Sequence, residues 1–112
     1  MNIPSFNTEL EFNESKPAIR IILETSFTKE IRILFKEGQL MKKHQTPFPI
    51  IVQILEGTID FGVSNNTLNL RKGDIVTLEG AVPHDLLAKE DSVVRLTLSK
   101  SDSLKRVKQV TE

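Results

Sequence analysis

The chain contains no cysteine, and that absence removes a disulfide framework, a thiolate metal site and a cysteine nucleophile together. It also lacks net charge: 15 Lys and Arg balance 15 Asp and Glu, so no overall field draws nucleic acid or an anionic membrane. The basic residues are scattered except at Lys42-Lys43 and at Lys105, Arg106 and Lys108, and both groups read as solvated surface. No apolar run approaches the ~18–20 residues that span a bilayer. Residues 1–5 show no basic segment followed by an apolar one, which argues against a secretory signal and makes the cytoplasm the expected location. Glycine-rich phosphate loops, zinc-finger spacing, Gly-x-Ser-x-Gly and a Ser–His–Asp order are missing as well.

What is present is a pattern of period two, the mark of strands with one buried face. The length, 112 residues, suits one domain spanning 1–112. Phe6, Thr8, Leu10 and Phe12 share one side of an N-terminal stretch expected to be an edge strand. Residues 19–23 are almost wholly apolar and read as a strand buried on both sides. Ile31, Ile33 and Phe35 alternate with polar neighbours, residues 50–55 are apolar except for Gln53, and Ile59, Phe61 and Val63 resume the alternation. Ser64-Asn65-Asn66 predicts a hairpin turn, since Asn tolerates the left-handed backbone. Leu68 and Leu70 follow, then a turn at residues 71–74, in which Asp74 is expected to bond local backbone amides. A strand over 75–78, a loop over 79–83, and two strands carrying His84, Leu86, Ala88 and then Val94, Leu96, Leu98 complete the pattern. Short strands separated by close turns predict an all-β sandwich or barrel. Beyond them, Leu104, Val107 and Val110 fall at three-residue spacing and predict a short C-terminal helix or tail.

Two segments carry the chemistry. One runs from Gly38 through His44, Thr46, Phe48 and Ile50 to Leu55-Glu56-Gly57; the other from Gly73-Asp74 to Val82-Pro83-His84. Together they resemble the two sequence motifs of the cupin superfamily over about 38–88, and the resemblance implies a double-stranded β-helix, or jelly-roll barrel. In metal-binding cupins the first motif supplies two histidines and a carboxylate, and the second supplies a further histidine. Those ligands converge inside the barrel on Fe, Mn, Ni, Cu or Zn. In this chain His44 and His84 match the outer two positions, while Thr46 and Ile50 stand where the other two ligands would be. Residues 79–81 also replace the family's proline-rich turn. Isoleucine does not coordinate and a threonine hydroxyl is a poor ligand, so the resemblance implies a degenerate site with His44 and His84 as its remaining metal ligands. Zn, Ni, Fe or Mn would be weakly held there. Gln53, by alternation, faces away from Ile50 and Val52.

The expected site is therefore a small pocket of His44, Thr46, Phe48, Ile50, Val52, Phe61 and His84, with Ile54 nearby. It suits a small-molecule binding or sensing module in which metal is optional, since a neutral imidazole offers one donor and one acceptor. A small metal-dependent enzyme of the dioxygenase or isomerase type is the rival reading. A dimerisation protein with a vestigial pocket is the third. The stripe of Phe6, Leu10 and Phe12 needs cover if it forms an exposed edge, and the resemblance to small cupins implies a homodimer.

Overall fold

A computed structural model describes residues 3–100 of the chain. These form nine strands and no helix: β1 (Ala18–Glu24), β2 (Thr28–Phe35), β3 (Leu40–His44), β4 (Ile50–Glu56), β5 (Thr58–Val63), β6 (Asn66–Arg71), β7 (Ile75–Leu78), β8 (His84–Ala88) and β9 (Ser92–Ser99). They pair antiparallel into a five-stranded sheet, β1-β2-β9-β4-β7, and a four-stranded sheet, β3-β8-β5-β6. The predicted short C-terminal helix lies outside the described residues.

Alternation builds the core. Ile31, Ile33 and Phe35 on β2, Val52 and Ile54 on β4, Ile59 and Phe61 on β5, Leu86 on β8 and Val94 on β9 are buried together between the two sheets. Each is the inward member of a two-residue repeat, so the hydrophobic pattern also fixes the register. The β5–β6 hairpin turns at Ser64 and Asn65, both left-handed (φ +51° and +64°), as the two-residue turn requires. Ahead of β7, the Asp74 carboxylate accepts the Arg71 amide at 2.8 Å, the local role expected of it.

Two expectations fail. The N-terminal stretch is not an edge strand: residues 5–14 form an irregular strap, with Glu9 in a left-handed conformation (φ +53°). The cause is Arg32, which points to the outer face of β2 and is buried at 3 % exposure. Its guanidinium donates to the carbonyls of Thr8 (2.7 Å), Phe6 (3.4 Å) and Glu9 (3.1 Å). Carbonyls gathered round one cation cannot also line a ladder. Lys36–Glu14 (2.8 Å), Gln39 to the Asn13 carbonyl (2.7 Å) and Arg95 over the Phe6 ring (5.4 Å) fasten the strap along its length.

The second failure is β1, expected to be buried on both sides. It is the edge of the five-stranded sheet, and Ile19 and Ile21 are 61 % and 50 % exposed. Their cross-strand partners Ile33 and Ile31 belong to the core, so β1 carries the same inner face outward beyond the cover of the smaller sheet. A bulge between Ile21 and Leu23 then breaks the alternation and puts Leu23 opposite Glu30.

Candidate functional site

His44 ends β3 and His84 begins β8, and the two are cross-strand partners beyond an irregularity after Met41. Directly opposed residues project to the same face. Their rings accordingly meet with centroids 4.4 Å apart at an interplanar angle of 56°. On the other side of His84 the Phe61 ring stacks at 5.7 Å and 22°. His84 is thereby enclosed at 2 % exposure, while His44 is half-buried.

Both rings are held the same way. His44 Nδ1 bonds the Lys42 carbonyl at 2.8 Å, and His84 Nδ1 bonds the Val82 carbonyl at 3.0 Å. A carbonyl only accepts, so each Nδ1 carries the proton and donates it. In the neutral rings Nε2 is then an acceptor with a bare lone pair. Burial holds the His84 pKa below the ordinary imidazole value, and a charge on His44 would lower it further. The Val82 carbonyl and the Asp85 carboxylate oppose the shift without cancelling it. His84 is a neutral acceptor at physiological pH.

Two such nitrogens do not complete a metal centre of the usual kind, which has three protein ligands and an open position. The Thr46 hydroxyl is spent on the Phe48 carbonyl at 3.0 Å, and Ile50 is buried in the core. No three His, Cys, Asp or Glu side chains come together among the described residues. The donor set present does not fit a three-ligand ion.

The remaining expected pocket residues divide. His44 and Lys42 border a mostly apolar cavity of about 370 Å³, with Ile19, Ile31, Ile33, Met41 and Leu96. Thr46, Phe48 and Ile50 border a second, of about 470 Å³, shared with Glu24, Lys29 and Leu98. Val52 and Phe61 are packed into the core at 2 % and 0 % exposure and border neither cavity. Gln53 lies on the face opposite Val52. The loop over 79–83 steadies the second cavity, where the Ala81 amide donates to the Thr46 carbonyl at 2.6 Å.

Sequence reasoning missed Lys29, Glu24 and Met41. Lys29 has the same parity as Ile31, Ile33 and Phe35, a signal available in the sequence, although lysine is rarely assigned to an inward position. Glu24 is Lys29's cross-strand partner and bonds Lys100 Nζ at 2.8 Å. That hydrogen bond and the charge behind it hold the Glu24 carboxyl below its ordinary range, with Lys29 adding to the effect.

Comparison with known proteins accords with this architecture. An RmlC-like cupin protein from Desulfovibrio desulfuricans superposes with a TM-score of 0.80 at 20% identity, over 88% of this chain and 96% of that one. The TT1209 protein from Thermus thermophilus gives 0.81 at 17%, over 88% and 97%. An RmlC-like cupin from Shewanella frigidimarina gives 0.75 at 17%, over 88% and 91%. At these identities the likeness establishes the fold alone. No curated protein sequence matches. The family model for the AraC-like ligand binding domain matches residues 32–98, more than half the chain, from the strap-binding arginine of β2 through β9. The chain has the fold of these cupin structures and belongs to the AraC-like ligand binding domain family.

Proposed function

We propose that the protein is a small-molecule binding or sensing module in which metal is optional, with its ligand in the apolar cavity beside His44. The observation carrying this reading is the combination found there. About 370 Å³ of space is walled by Ile19, Ile31, Ile33, Met41 and Leu96, with one imidazole fixed by its backbone bond at the rim. Cavities of roughly 300–1,000 Å³ with apolar walls and few oriented polar groups are where small ligands bind. Membership of a ligand-binding family supports the same conclusion. The shortage of ligating side chains among the described residues favours binding over metal-dependent catalysis.

The protomer is proposed to pair with a second copy through β1, whose outer edge pairs with no strand among the described residues and whose Ile19 and Ile21 are exposed. The cytoplasm remains its proposed location.

Thermal denaturation against a library of small neutral and charged compounds tests the binding reading. Compounds that raise the midpoint for the parent and not for His44→Ala support it, because a ligand that binds only the native state stabilises it. A library without a single such compound contradicts it.

A further inference from the structure

Lys29 occupies a position that strand alternation reserves for the core. It stands two residues before Ile31 on the inner face of β2, opposite Leu98 of β9 and Glu24 of β1. A lysine at such a position keeps its stem against apolar neighbours while its ammonium needs water or an anion. Its neighbour Glu24 is bonded by Lys100 at 2.8 Å, and Lys29 acts on that carboxylate only through space, with no ion pair of its own within 4.0 Å among the described residues.

The two cavities follow one another along the same strands. Lys29 and Leu98 border the larger, and Ile31 and Leu96, the next inward residues of the same pair of strands, border the smaller. Thr46 and His44 stand in the same relation on the opposite wall. One inward step on a strand is about 6.6 Å, so the cavities adjoin as two lobes of one cleft. Beyond the Glu24–Lys100 pair, the described lining holds two cations, Lys29 and Lys42, and no second acid.

Resting on the small-molecule reading above, we propose that the cleft binds an amphipathic carboxylate. Its apolar body lies on Ile31, Ile33, Met41 and Leu96, and its carboxylate is held by Lys29. The apolar lobe supplies affinity without regard to charge, and the lysine excess selects the sign of the head group.

Calorimetric titration of the full chain with octanoate, octanol and octylamine at pH 7.5 tests this. Octanoate is expected to bind about fivefold more tightly than octylamine, the scale of one partly exposed ion pair. Raising the salt from about 0.05 to about 0.5 M weakens octanoate and leaves octanol unchanged, since only the charged head is screened. Lys29→Gln brings octanoate down to the affinity of octanol without altering octanol itself. Octylamine binding as well as octanoate, or Lys29→Gln leaving octanoate unaffected, overturns the ligand class while the apolar pocket stands. Failure of both octanoate and octanol to bind the folded parent overturns the class, and with a blank library screen the small-molecule reading also falls.

Discussion

His84 lies between two rings, Phe61 on one side at 5.7 Å and His44 on the other at 4.4 Å, and this sandwich decides its protonation. The walls are apolar or themselves basic, so a proton placed on His84 loses water and gains a neighbour of like tendency. Only the Val82 carbonyl and the Asp85 carboxylate favour the charge. His84 therefore stays neutral, with its Nδ1 proton committed to the Val82 carbonyl and Nε2 left as an acceptor.

The unfolded chain protonates this imidazole at a higher pH than the folded protein does. Stability is therefore fully present above pH 6.5 and is lost as the pH falls from there toward the lowered folded value. Urea denaturation at pH 7.5 and at pH 5.5 is expected to show a lower midpoint at the acid end for the parent. His84→Gln, which has no titrating ring, is expected to show a smaller difference. An equal difference in both proteins contradicts the lowered pKa.

Arg32 fastens the N-terminal strap through three carbonyls, two of them within 3.1 Å. Charged hydrogen bonds of this kind contribute about 1.5–3 kcal/mol each at most. Arg32→Gln is expected to cost about 2 kcal/mol overall, as water replaces part of what is lost. It is also expected to expose residues 3–14 to proteolysis well before the barrel is cut. A strap as resistant as the parent's removes Arg32 as its anchor.

Gly57 and Gly73 share a left-handed backbone (φ +89° and +94°) but not their surroundings. A Cβ on Gly57 collides with the Ser92 side chain and the Asp91 carbonyl, whereas one on Gly73 meets nothing within 4 Å. Gly73→Ala is expected to cost about 1 kcal/mol, the conformational penalty alone. Gly57→Ala adds the steric term and is expected to cost about 3 kcal/mol or more. Chemical denaturation of the two variants checks the order, and equal losses contradict the close approach at Ser92.

If β1 pairs with a second copy, Ile21→Lys places a charge on the shared face and is expected to convert the dimer to a monomer. Light scattering coupled to gel filtration reads this directly. A parent that is monomeric at high micromolar concentration removes the proposed pairing.

Much of this arrangement was legible in the residue order, and what was not has physical reasons. The encounter of His44 with His84 was implied by the resemblance to the cupin motifs, whose ligands converge inside the barrel. The turns at Ser64-Asn65 and Gly73-Asp74 followed from backbone preference, and the core of Ile33, Phe35, Ile54, Phe61 and Val94 from period two. The strap did not, because alternation at Phe6, Leu10 and Phe12 says nothing about an arginine on β2 that collects carbonyls from a distant segment. Nor did the exposure of Ile19, which depends on the second sheet being one strand narrower than the first. Val52 and Phe61 pack into the core and border neither cavity, a distinction that inward parity does not make. Lys29 obeyed the parity and was overlooked for its charge.

The cleft between the inner face of β1, β2 and β9 and the His44 edge of β3 is the centre of this account. Methyl and imidazole NMR spectra during titration with octanol, the neutral probe, test it most directly. Perturbations confined to Ile19, Ile31, Ile33, Met41, Leu96 and the His44 ring are the predicted result. Shifts confined to the β5–β6 hairpin and residues 64–67, or none at saturating octanol, would contradict it.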